Sequence, residues 1–87
     1  MEVIKKSATV YATSDGRCFI ALSENEVVWI SFHTTDLNCV KDFLNAVLEQ
    51  QCNSLYMHKD ERDTDEFRDS ITRAGFVDEG DKFILKF

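Results

Sequence analysis

The chain has 87 residues, a net charge of -6, 44% hydrophobic and 30% charged residues, three cysteines and no proline. That length is enough for one α/β domain, residues 1–87, and no second core; the apolar fraction excludes a disordered chain, and no run approaches the roughly 20 apolar residues of a membrane span. The opening "MEVIKKSATV" has no apolar signal core, so a cytoplasmic protein is expected, with Cys18, Cys39 and Cys52 as reduced, packed thiols.

The first strand signal is "SATVYAT", where Val10 and Ala12 alternate against Thr9 and Tyr11. "SDG", Ser14 to Gly16, supplies a hairpin turn, and "RCFIALS" returns as a second strand. A further turn at Glu24 to Glu26 leads into "VVWISF", Val27 to Phe32, whose unbroken apolar run predicts a strand covered on both faces, with Trp29 in the core. A tryptophan on an open sheet face would instead anchor an interface.

In "TTDLNCVKDFLNAVLEQQC" the period changes. Leu37, Val40, Phe43, Leu44, Val47 and Leu48 recur at helical spacing behind a cap at Thr35 or Asp36. A helix of that length delivers "SLYMH" as a strand parallel to the one before it. The next helix begins with Asp63 and Glu66 as a capping box, buries Phe67, Ile71 and Ala74, and ends at Gly75. "DKFILKF" closes the chain as an edge strand with Phe83, Leu85 and Phe87 on one face. The predicted order is β-β-β-α-β-α-β: a mixed sheet of about five strands with two helices, at the α+β to α/β boundary. A domain this small buries only about two thirds of its unfolded surface, so pairing would help it.

From "LYMH" through "FRDSITRAGF" to the last strand, the chain resembles the C-terminal half of the N-acetyltransferase (GNAT) superfamily, where a strand is followed by a short helix, a Gly-Phe pair and a closing strand. The resemblance implies a degenerate form of that fold. The family's acyl-CoA loop, Arg/Gln-x-x-Gly-x-Gly/Ala, is replaced by "HTTDLN", with Asp36 where phosphate needs donors. The family's general-acid tyrosine falls near Ile71 and its asparagine near Thr64. No cofactor is therefore expected, and an acyl-CoA-binding domain is the alternative rather than the leading reading.

Other chemistry is sparse. Cys39 with His33 lacks a third group to orient the histidine. The cysteines and histidines have no close metal-ligand spacing. The carboxylates are interleaved with arginines rather than isolated in apolar surroundings, and they lack the Ca²⁺ loop pattern. What stands out is charge. Residues 60–81 hold nine acids and three arginines, as negative on their own as the whole chain. Asp60, Glu61, Asp65, Glu66, Asp69, Asp78, Glu79 and Asp81 are the candidate contact residues, for which the plain alternative is a solvated face. Such a surface disfavours nucleic acid and suits a basic protein, including a nucleic-acid-binding one. The expectation is a non-enzymatic regulator or inhibitor of the antitoxin or phage-encoded kind, with a homo-oligomerising module as a further alternative.

Overall fold

The computed structural model describes residues 3–5, 10–51 and 54–86. It is an α+β domain with the elements β1 (Val3–Lys5), β2 (Val10–Thr13), β3 (Cys18–Ser23), β4 (Glu26–Phe32), α1 (Leu37–Gln51), β5 (Ser54–His58), α2 (Asp65–Arg73), β6 (Val77–Asp78) and β7 (Lys82–Lys86). The seven strands form one mixed sheet in the order β1-β2-β3-β4-β5-β7-β6. Only β4 and β5 run parallel, and α1 is the connection between them. The order expected from Val10 onward is present. β1 and β6, of three and two residues, are additional and too short to leave a periodic signal.

Turn chemistry sets the register. Gly16 takes φ 77° and donates its N–H to the Thr13 carbonyl at 3.1 Å, closing the β2–β3 hairpin. The Thr13 hydroxyl, buried, accepts the Cys18 N–H at 3.1 Å. Tyr11 pairs with Ile20 and is wholly buried, while Val10 and Ala12 pair with Ala21 and Phe19 on the opposite face. This reverses the expected facing of that strand. The large tyrosine takes the helix-covered side, and the two smaller side chains turn away from it. Ser7 to Thr9, in the same predicted strand, lie outside the described residues, as do Cys52 and Phe87.

Both helices pack on one face of the sheet, since Val40, Phe43, Leu44, Val47, Leu48, Ile71 and Ala74 share a single core with Tyr11, Ile20, Leu55, Phe83 and Leu85. Leu37, expected in the buried stripe, is exposed at the start of α1, and Phe67 is only half-buried. "VVWISF" is consequently covered on one face, not two. Its register contains a bulge: Leu22 pairs with Val27 but Ala21 with Trp29, leaving Val28 as an extra residue. Side-chain direction has a period of two, so the extra residue inverts everything after it. Ile30 turns into the core and Trp29 turns out, 63% exposed, in place of the core position expected for it.

The helix ends follow local rules. Asp36 Oδ1 accepts the N–H groups of Asn38 at 3.0 Å and Cys39 at 3.4 Å, capping α1. At α2 the cap is Thr64, not Asp63: its hydroxyl accepts the Phe67 N–H at 3.1 Å. Asp63 folds back to accept the Asp60 N–H instead. Gly75 ends the helix at φ 116°, with its N–H on the Thr72 carbonyl and the Phe76 N–H on the Ile71 carbonyl. Ile71 and Phe76 are both buried, which supplies the hydrophobic contact of a Schellman ending. The final strand is interior, flanked by β5 and β6, and not the sheet edge predicted for it.

A Cβ on Gly75 would stand 3.3 Å from Leu85 Cδ1, at a φ that L residues rarely adopt. Gly75→Ala is expected to cost about 1 to 3 kcal/mol. Urea unfolding measures this as a lower midpoint at unchanged slope.

Candidate protein-binding surface

The turn after β5 and the turn between β6 and β7 are held against each other by Lys59. Its backbone N–H donates to the Asp81 carbonyl at 3.2 Å, and its Nζ lies 2.7 Å from Asp78 Oδ1 and 5.1 Å from the centre of the buried Phe83 ring. Asp78 also accepts the Gly80 N–H at 2.8 Å. The Lys59 hydrogen bond, followed by that of Gly80, lowers the Asp78 carboxyl below the ordinary aspartate range. Two acidic stretches about 20 residues apart in sequence thus share one end of the molecule.

Asp60 is the centre of the first stretch. Its carboxylate accepts Arg62 Nε at 3.2 Å, Arg62 Nη2 at 2.9 Å and the Arg62 N–H at 2.9 Å. The side-chain bonds from Arg62, then the backbone bond, hold its carboxyl down at about 2. Its carbonyl accepts Arg68 Nη2 at 3.0 Å, which ties α2 to the turn. Arg68 Nε is buried without a hydrogen-bond partner. The guanidinium instead draws on the charges of Asp60 and Asp78, both of which it stabilises.

Among the predicted contact residues, the structure brings together Asp60, Asp78 and Asp81 at this end, with Asp65 and Glu66 in the adjoining first turn of α2. Asp69 stands apart, a turn further along and paired with Arg73 at 3.0 Å. Glu61, Asp65, Glu66, Glu79 and Asp81 are exposed and form no ion pair among the described residues. Asp65 and Glu66 also face the positive end of the helix, which accounts locally for their presence. Sequence reading missed Lys59, whose role depends on a contact across the sheet. It placed Trp29 in the core with an open sheet face as the alternative, and the bulge that decides for the open face left no signal.

The remaining candidates separate. His33 Nε2 lies 2.9 Å from the exposed Ser31 hydroxyl, whereas Cys39 is buried against Cys18. Burial, and secondarily the Cys39 thiol beside it, pushes Cys18 up to about 12, the opposite of an activated nucleophile. Among the described residues no three His, Cys, Asp or Glu side chains are placed to share a metal ion, and no helix is long and apolar enough to cross a membrane. A cleft of about 450 Å³ opens where β4 runs past β5, lined among others by Val28, Trp29, His58, Asp60, Asp63 and Phe67. Comparison with protein-family models, curated proteins and solved structures finds no match for this chain.

Two outcomes follow. Carboxyl NMR is expected to find Asp60 titrating near 2, and Arg62→Ala is expected to return it toward the ordinary 3.8. Because the folded value is depressed, this contribution to stability is complete above about pH 4 and is lost as pH falls toward 2. Cys18 is expected to resist iodoacetamide at pH 8 in the folded chain and to react in denaturant, as read by mass spectrometry.

Proposed function

We propose that the protein is a non-enzymatic binding module that engages a basic protein through the acidic end formed by the Asp60 turn, the start of α2 and the Asp78 to Asp81 turn. The observation that carries this reading is the Lys59 clamp, which joins the two acidic turns while leaving Glu61, Asp65, Glu66, Glu79 and Asp81 unpaired and exposed. Paired surface charges contribute little to stability, and unpaired like charges oppose it. The exposed acids that have no ion-pair partner among the described residues repel one another, and a basic partner would relieve that repulsion. Charge complementarity of this kind speeds encounter and fixes orientation. A regulator or inhibitor of a nucleic-acid-binding protein fits, because such targets present basic grooves; the cytoplasm is the compartment in which buried cysteine thiols persist.

A second reading is a degenerate acyltransferase-like domain. The parallel β4–α1–β5 unit, α2 ending at Gly75-Phe76 and the closing strand β7 favour it. Against it, the amides at the start of α1 that would receive a pyrophosphate are occupied by Asp36. Acetyl-CoA at millimolar concentration is expected to leave Tm unchanged, and a clear thermal shift would restore the cofactor reading.

The leading reading is tested by affinity capture from host lysate at low and high salt, followed by binding of the purified captured protein. The expected partner is basic, binds directly, and is lost at high salt. Asp65→Asn, Glu66→Gln and Asp81→Asn together are expected to weaken it about tenfold or more, as charge pairs at interfaces do when one side is removed. Unchanged affinity and salt dependence in this variant would remove the acidic end from the interface.

A further inference from the structure

The face of the sheet opposite the helices has an unusual composition. An antiparallel sheet with one solvated face normally alternates apolar inward and polar outward. Here the outward positions carry Ile4, Val10, Phe19, Ala21 and Trp29 around a buried Ala12, and beyond β4 they carry Tyr56, Ile84 and Val77, with Ser23, Ser31, Ser54 and His58 as the neutral polar residues of the same face. Trp29 is 63% exposed and Val77 58%. Glu26 is the one acid among the described outward strand residues, and its carboxylate is 3.5 Å from the Tyr56 hydroxyl. Lys82 and Lys86 supply the cations of that face.

We infer that this open face is a self-association surface, covered in solution by the same face of a second copy of the chain in a two-fold sandwich. Three observations select that occupant. The first is area. Strands about 4.8 Å apart and running from two residues in β6 to seven in β4 present roughly 500 Å² in all, so two copies would bury on the order of 1,000 Å² before side-chain relief is counted. That meets the lower limit of about 1,000 Å² for a specific interface.

The second is charge. Each copy carries -6, with the acids of residues 60–81 concentrated in the turns and in α2. The open face is the side from which two such molecules approach with least repulsion. The third is position. Trp29 stands on β4, the middle strand of the seven. A two-fold axis near it brings the two indoles together, with apolar strands on both sides, as an isologous contact needs.

Stacking of nucleic-acid bases is the less suitable occupant. Tyr56 is already engaged by the Lys82 ammonium 5.6 Å from its ring centre and by the His58 ring at 5.4 Å, edge to face. The pairing goes beyond the acidic-end reading: it rests on the apolar sheet residues rather than on the acids, although Trp29 borders the cleft that Asp60 and Asp63 also line.

Trp29 is the sole tryptophan, so the wild-type chain reports on its own interface. Sedimentation velocity from about 1 to about 100 μM is expected to show a monomer passing to a dimer, with Trp29 emission moving to shorter wavelength over the same range. Trp29→Lys, with native far-UV circular dichroism, is expected to weaken association about 30-fold or more, as loss of a central aromatic anchor does. A monomer across the range with fully hydrated Trp29 emission overturns the proposal and leaves the face to another partner. A dimer that Trp29→Lys leaves as tight as wild type also overturns it, and moves the contact to a strand edge.

Discussion

Side chains alternate across a strand, so a seven-stranded sheet covered by helices on one face alone commits half its side chains to the other. In this protein the covered half is filled by the buried strand residues Tyr11, Ile20, Leu55 and Phe83, which leaves the second half to be judged by what it exposes. The Val28 bulge is what keeps the two halves distinct at the centre: without it Trp29 would compete with Ile30 for the core. One inserted residue on β4 therefore decides both how the core closes and which aromatic is presented outward.

Electrostatics are confined by the same architecture. The acids lie where chain turns and a helix N-terminus accept them most readily, and Lys59 and Arg68 hold those turns together from within. The sheet face and the acidic end thereby differ in chemistry and adjoin at the cleft lined by Trp29 and Asp60.

The elements with strong period were legible in the sequence. The α1 stripe from Val40 to Leu48, the Gly16 turn and the Gly75 ending follow from residue chemistry acting over a few positions, and the structure shows each of them. What was not legible depends on partners distant in the chain. The facing of Tyr11 is fixed by Ile20 across the hairpin, that of Trp29 by a register irregularity, and the place of β7 by strands on either side. The cap at Thr64 was missed because Asp63 imitates the same pattern one residue early, and only the Asp60 N–H decides between them. Of the candidate site, the acids and their joining into one surface were legible, but the Lys59 contact that holds the two turns together was not, because it spans the sheet.

The interior position of β7 governs the order in which the molecule is completed. β5 pairs with β4 on one side at Glu26 and Tyr56, and its other side has no ladder until Lys82 to Lys86 have been synthesised. Leu55 and Met57 wait in the same way for their opposite numbers, Leu85 and Phe83. The chain therefore closes its sheet from the inside with its last element, and the loop that must be drawn shut includes all of α2. Long-range closure of this kind is slow relative to local helix formation. During synthesis the half-built sheet displays an apolar strand edge, and that interval is when a nascent chain of this protein is most open to capture by a chaperone or by another nascent copy.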